Sequence, residues 1–270
     1  MSVSAFVSVI NRLLPEPQAS LLGGMLFGIK SQMPKDFYEA LIKTGTLHII
    51  ALSGMNISIL IAIFGKMFLT LGRQIGSLIT IVNIIAFVLF VGPSPSVVRA
   101  AIMGSLTMIS TYFGRQKAAL LGLFLAAIAM LIFNLKLIFE ISFQLSFLAT
   151  LGIILLAANR SQEVIKEKSF LKKAKWGIGE NFKTTLAAQI FTLPVIFYNF
   201  HRVSLISPLV NVLVGWVVSP ITGWGMITAF LGYLFLPLGQ VLAWFLWVPL
   251  TYFIEVVKFF AKFPGASIEF

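Results

Sequence analysis

Charged side chains are too scarce in this sequence to cover a globule that faces water. Only 11% of the 270 residues are Asp, Glu, Lys or Arg, whereas 59% are hydrophobic, and the mean hydropathy is +0.98. Soluble domains carry about 25% charged residues. The composition therefore excludes a soluble enzyme or binding domain and predicts an integral membrane protein.

Apolar stretches between charges and Gly or Pro breaks predict an all-α, polytopic transmembrane helical bundle with about nine spans. A span needs about 20 apolar residues, and several stretches are shorter, so re-entrant or broken helices are expected. The predicted spans are Leu47–Gly65, Ile75–Val91, Pro95–Phe113, Ala118–Phe133, Leu137–Ala158, Thr184–Asn199, Ser204–Ser219, Ile221–Leu236 and Gln240–Phe260.

The chain divides into two predicted regions. Residues 46–270 hold the spans, and residues 1–45 precede them without a signal-peptide pattern. Two short amphipathic pieces in residues 1–45, around Leu13–Ile29 and Asp36–Ile42, are predicted to be helices that lie at the membrane interface.

The net charge of +11 is explained by the tendency of Lys and Arg to collect in cytoplasmic loops. Thirteen basic residues fall on one side of the predicted spans, and six fall on the other. This bias places residues 159–183 and the C-terminus in the cytoplasm and residues 1–45 outside. Residues 159–183 are the clear polar loop, either solvated or a basic amphipathic helix on the inner leaflet.

The sequence contains no cysteine, which excludes disulfides, thiolate metal sites and a cysteine nucleophile. With two histidines and nine acidic residues, no conventional metal site is expected either. The sequence therefore predicts a protein without a cofactor.

Arg99 is an ionisable residue inside a predicted span, at a cost of roughly 2.5–3.5 kcal/mol on insertion scales. It follows the break at Gly92–Ser96, and Ser96, Thr107 and Ser110 fall on its face of a helix. One interpretation is that Arg99 faces a water-filled path. The other is that Arg99 is buried and pairs with Glu140 or with backbone carbonyls freed by prolines.

Other predicted spans carry polar residues at helical spacing. Interhelical hydrogen bonding explains any one group, whereas several groups together favour a shared polar cavity. The residues concerned, all at positions predicted to be helical, are Glu140 with Gln144, then Thr185, Gln189, Thr192 and Asn199, and finally Asn211 with Ser207.

The first predicted span carries His48, Ser53 and Asn56, which are expected to line or buttress the cavity. A serine beside Gly54 also raises the hypothesis of an intramembrane serine protease. His48 is a poor base for Ser53 on one helix because positions i and i+5 lie about 140° apart. His201 lies at the edge of a span. No catalytic residue is therefore assigned.

Five segments in order along the chain resemble the membrane-embedded competence domain of the ComEC family. The most distinctive is TGTLHIIALSGMNIS, with the family's His and Ser-Gly run, and FQLSFLATLGI is the next. The chain differs in having Asn56 where the family often has a second His, and Glu140-Ile141-Ser142 where it often has Asp-Pro-Gly. The other matching segments are RLLPEPQASLLGGMLFG, PSVVRAAIMG and SPLVNVLVGWVVSP.

The resemblance implies a non-enzymatic channel in the bacterial inner membrane that passes single-stranded DNA into the cytoplasm. It also implies the lipid bilayer and other competence proteins as partners. The OB-like and metallo-β-lactamase-like modules typical of long relatives have no counterpart in these 270 residues. Without the resemblance, the spans fit a transporter of a small-molecule or lipid-linked substrate equally well.

The absence of cysteine allows single cysteines to report the sidedness of the membrane without background labelling. We expect Gln162→Cys to be protected from an impermeant thiol reagent in intact cells, because the loop 159–183 is predicted to be cytoplasmic. Ser94→Cys should label from outside. Labelling at position 162 and protection at position 94 would show that the orientation in the membrane is the reverse of the predicted one.

Overall fold

Helices dominate the structure, a computed structural model that describes residues 2–29, 32–50, 54–113, 119–157, 170–200, 202–204, 206–263 and 267–269. The predicted all-α class is confirmed, with one addition: two strands of three residues form a small antiparallel ribbon. The helices are α1 Val3–Leu13, α2 Gln18–Phe27, α3 Lys35–Lys43, α4 Leu47–Ile50, α5 Gly54–Phe68, α6 Arg73–Val91, α7 Pro95–Tyr112, α8 Ala119–Phe133, α9 Ile141–Gly152, α10 Phe170–Phe200, α11 Ser207–Leu234 and α12 Leu236–Ala261.

Three of these helices, α6, α11 and α12, are long and apolar enough to cross a membrane. Others are shorter than a span, as the sequence suggested when it predicted broken helices. The first predicted span, Leu47–Gly65, contains α4 and most of α5, and residues 51–53 between them are outside the described residues. The fifth contains α9 followed by a π-helical turn at Ile153–Ala157.

The two spans predicted for Ser204–Ser219 and Ile221–Leu236 are wrong, because residues 207–234 form the single helix α11. Pro220 lies inside that helix rather than at a turn. An apolar helix tolerates an internal proline when neighbouring groups satisfy the freed carbonyl. At 1.5 Å per residue, 28 residues extend about 42 Å, which exceeds a hydrocarbon core of about 30 Å.

Because α11 is one helix, the predicted location of the C-terminus changes as well. The first strand, β1 Arg202–Ser204, pairs antiparallel with β2 Ser267–Glu269, and Arg202 faces Glu269 in the register. Helices α11 and α12 form a hairpin between the two strands. The C-terminal strand therefore lies at the same end of the hairpin as residues 202–204, whereas the sequence placed them on opposite sides.

The N-terminal helices pack into the α11–α12 hairpin and form the largest hydrophobic core with it. Residues Gln18–Leu26 of α2 are all buried. A Cβ atom added at Gly225 of α11 would lie 2.5 Å from Leu22 Cδ1, so the glycine lets the two helices approach closely. Whether residues 1–45 lie at the membrane interface stays a prediction. Within the protein, α2 is a helix of the hydrophobic core.

Residues 1–45 extend from one end of the hairpin to the other. Near the α11–α12 turn, the Phe6 ring stacks on Tyr233 with centroids 5.0 Å apart, and Gln240 Nε2 donates to the Leu13 carbonyl at 3.3 Å. At the far end, a Cβ atom added at Gly45 would lie 2.7 Å from Ser207 Cβ. The N-terminal segment thus runs along the hairpin.

The middle of the chain forms a second group of packed helices around α7. Two smaller cores hold it together, one centred on Ile57, Ile84 and Val97 and the other on Met130 and Phe143. Helix α9 then lies against α10, where a Cβ atom added at Gly152 would collide with the carbonyl of Ala187. This second group carries the polar residues described below.

The position of the C-terminus can be tested with single cysteines near the two ends of the hairpin. We expect Lys262→Cys to react from the same side of the membrane as Arg202→Cys, because the two strands pair. Phe235→Cys, at the α11–α12 turn, should react from the opposite side. A labelled residue 202 with a protected residue 262 would contradict the hairpin.

Candidate functional site

The side chain of Arg99 joins α7 to α9. Its Nε donates to Ser146 Oγ at 2.9 Å, and its Nη1 donates to Thr150 Oγ1. Nη1 also lies 3.7 Å from the Met103 sulfur. The guanidinium is partly buried and takes all of these hydrogen-bond partners from neutral side chains.

Local sequence explains why Arg99 sits one turn into α7. Pro95 begins the helix, where its missing N–H is not needed, and the Val98 N–H donates to the Ser94 carbonyl at 2.9 Å. On the neighbouring face, Val98 and Ile102 pack against the core that contains Phe143. This apolar contact places α9 beside α7 and brings Ser146 and Thr150 within reach of the guanidinium.

The ion pair between Arg99 and Glu140 is not formed. Glu140 is exposed and lies at the beginning of α9, where its backbone carbonyl accepts from the Gln144 N–H at 3.0 Å. Gln144 donates through Nε2 to the Ile138 carbonyl at 2.9 Å. Glu140 is thus the N-cap residue of α9, whereas Arg99 contacts the hydroxyls of Ser146 and Thr150 farther along the same helix.

The polar stripe predicted beside Arg99 is mostly satisfied within α7. Thr107 donates to the Met103 carbonyl at 3.0 Å, and Ser110 donates to the Leu106 carbonyl at 2.9 Å. Ser96 is half-buried near the beginning of the helix. Serine and threonine commonly bond to the carbonyl four residues earlier, so the stripe by itself does not require a water-filled path.

Asn56 ties α5 to α2. Its side chain is 1% exposed, and its Nδ2 donates to the Met25 carbonyl at 2.9 Å and approaches the Leu26 carbonyl at 3.5 Å. Both carbonyls belong to the last turn of α2, where helix acceptors lack intrahelical partners. Asn56 therefore buttresses the contact between the two groups of helices.

Gly54, at the beginning of α5, allows that helix to approach α7. A Cβ atom there would lie 2.9 Å from Ala100 Cβ and 3.5 Å from Arg99 Nη2. The missing side chain of Gly54 is what permits this close approach of α5 and α7. Ser53 itself lies outside the described residues, as does His201, so the protease hypothesis gains no geometric support.

His48 lies in α4 and is exposed, and its Nδ1 donates to the Gly45 carbonyl at 2.9 Å. Residues 51–53 lie outside the part of the chain that the structure describes, so the predicted 140° angle between His48 and Ser53 stays a prediction.

Three further candidates lie on α10 and α11. Thr192 is buried and donates to the Ala188 carbonyl at 3.0 Å, while Gln189 is half-buried one turn earlier. Asn211 Nδ2 donates to Ser207 Oγ at 3.1 Å, and its Oδ1 is buried without a hydrogen-bond partner among the described residues. Their role in a shared cavity stays a prediction.

Sequence reasoning missed the two residues that hold Arg99. Ser146 and Thr150 are one turn apart on α9, four and eight residues after the exposed Ser142. This spacing of hydroxyls along one helix face was the available signal. In contrast, a surface cavity of about 420 Å³ between α5 and α6 is lined by Leu71–Ile75 and contains none of the candidate residues.

Comparison with known proteins identifies similar sequences. A family model described as competence protein matches residues 25–270. The chain is 28% identical over 209 residues to ComE operon protein 3 of Bacillus subtilis, which covers 77% of this chain and 26% of that protein. It is 30% identical over 132 residues to an uncharacterized protein of Aquifex aeolicus, covering 48% of this chain and 31% of that protein.

The chain thus spans about a quarter to a third of the length of these relatives. No solved structure matches it.

The tie between Asn56 and α2 can be measured. We expect Asn56→Ala to lower the free energy of unfolding in detergent by about 1–3 kcal/mol, because two buried carbonyls lose their donor. Asn83→Ala is the matched control, since Asn83 donates to Ile79 within its own helix at 2.9 Å. Equal losses in both variants would show that Asn56 does not join the two groups of helices.

Proposed function

The chain belongs to the competence protein family, and from this premise we propose that it is a membrane channel for DNA. In this proposal it passes single-stranded DNA into the cytoplasm during natural transformation. Its partners are the DNA strand, the lipid bilayer of the bacterial inner membrane and other proteins of the competence machinery. The chain performs no chemistry on the strand.

The positive charge of Arg99 is the observation that carries this proposal. A buried cation in an apolar protein is usually paired with a carboxylate, because an unpaired charge is costly in low dielectric. The described partners of Arg99 are instead the hydroxyls of Ser146 and Thr150 and the sulfur of Met103. Its charge is therefore available to an anion, and phosphate is the repeating anion of DNA.

A single strong cation with neutral polar neighbours suits a moving strand. Conduction requires contacts strong enough to admit the ion or polymer but weak enough to release it. A cluster of arginines would hold consecutive phosphates, whereas one guanidinium beside two hydroxyls exchanges one phosphate for the next. Arg99 is the only basic residue that the sequence places deep inside a predicted span.

The apolar exterior supports a position inside the bilayer. Large hydrophobic side chains are exposed along α6, α8, α11 and α12, including Leu89, Phe133 and Phe245 at 76%, 90% and 75%. Surfaces of this kind are stable in hydrocarbon and aggregate in water. The three helices α6, α11 and α12 are long and apolar enough to serve as crossings in this proposal.

The basic stretch 159–183 provides an exit surface on the cytoplasmic side in this proposal. It contains seven Lys and Arg residues, and α10 begins within it at Phe170. Positive charge at this position attracts the emerging phosphates through a term that falls with salt. The same charges also fix the orientation of the protein in the membrane.

The Arg99 contact can be tested in the native host with variants at the chromosomal locus. We expect Arg99→Gln to accumulate normally but to lower uptake of labelled DNA by about ten- to a hundredfold, the equivalent of one charged hydrogen-bonded contact. Arg99→Lys should retain part of the uptake, because the charge remains.

Arg73→Gln is the matched control, since Arg73 is an exposed cation at the start of α6. Glu140→Gln should leave uptake unchanged, because Glu140 does not pair with Arg99. Normal uptake by a well-expressed Arg99→Gln variant would contradict the proposed path.

A further inference from the structure

The two hydroxyls that hold Arg99 are themselves fixed on α9. Thr150 Oγ1 donates its proton to the Ser146 carbonyl at 3.0 Å, so only its lone pairs remain to accept from Arg99 Nη1. Ser146 Oγ accepts from Arg99 Nε at 2.9 Å. Two neighbouring edges of the guanidinium are thus bound by acceptors spaced one helical turn apart.

This arrangement orders the guanidinium without neutralising it. A carboxylate at either position would also accept from Arg99, with a stronger and bidentate bond. It would at the same time cancel the charge that an anion could use. The carboxylate on α9 lies at Glu140, six residues before Ser146, and is exposed.

We propose that Ser146 and Thr150 are positioning residues that present Arg99, which pairs with no carboxylate among the described residues, to the phosphodiester groups of the passing strand. This inference rests on the proposed function and names the residues that make Arg99 selective for an anion. They bind Nε and Nη1 of the guanidinium, while Nη2 lies beside α5, 3.5 Å from a Cβ position at Gly54. Ser146 and Thr150 act through Arg99, and this role requires that their side chains carry no charge.

The test compares two substitutions of similar shape that differ in charge. Ser146→Asn keeps a neutral acceptor beside Arg99, and Ser146→Asp introduces a carboxylate. We expect both proteins to accumulate in the membrane, because a carboxylate beside an uncompensated guanidinium is itself stabilised. Uptake of labelled DNA should stay within about threefold of normal for Ser146→Asn and fall at least about tenfold for Ser146→Asp, the loss expected when a charged contact is removed.

Ser105→Asp is the positional control, because Ser105 is similarly half-buried on α7 but about 120° away from Arg99 around that helix. A loss in Ser105→Asp equal to that in Ser146→Asp would show a general effect of acidic residues and would overturn the inference. Failure of Ser146→Asp to accumulate would overturn it as well, since the new carboxylate would then not be paired with Arg99.

A double variant separates this inference from the proposed function. If Ser146 acts through Arg99, then Arg99→Gln with Ser146→Ala should take up no less DNA than Arg99→Gln alone, because neither variant leaves an unpaired carboxylate beside position 99. A further loss in the double variant would assign Ser146 a structural role and overturn the inference. If Arg99→Gln alone takes up DNA normally, the proposed function itself fails, whereas a defective Arg99→Gln with a normal Ser146→Asp defeats only the inference.

Discussion

The structure depends on polar groups that are satisfied within the protein, because its surroundings offer few partners. Hydroxyls in the helices bond to carbonyls one turn earlier, as Thr80, Thr222 and Thr228 do. Side-chain amides reach the carbonyls at helix ends, as Asn56 and Gln240 do for α2 and α1. In a chain with 11% charged residues these hydrogen bonds offset the cost of burying polar groups, and Asn211 Oδ1 is an exception among the described residues.

Two groups of helices result from this packing. The first combines helices from both ends of the chain, α1 to α4 with α11 and α12, around one large core. The second consists of the helices between them and has smaller cores around Ile84 and Phe143. Asn56 links the groups by a hydrogen bond of 2.9 Å to the Met25 carbonyl. The charged residue proposed to meet the cargo, Arg99, belongs to the second group.

The sequence predicted the helical class, because composition follows local rules, and it singled out Arg99 as a charge in an apolar stretch, whose role stays a prediction. It did not predict that α11 is one continuous helix, because Pro220 is a helix-breaking signal in water but is tolerated in an apolar helix. It also did not predict Ser146 and Thr150, which lie 47 and 51 residues from Arg99. Their contact is set by the packing of Val98 and Ile102 near Phe143, which periodicity does not encode.

The pairing of the two ends of the chain has a consequence for synthesis. Gln18 bonds to Thr251 across 233 residues, and Gln240 bonds to Leu13 across 227. At about 5–20 residues per second, the ribosome needs roughly 10 to 50 s to make the partners of α1 and α2. During this interval the buried, apolar α2 has no hairpin to pack against. Biogenesis therefore requires a transient host for α2, such as an insertase or the lipid surface, until translation of α12 is complete.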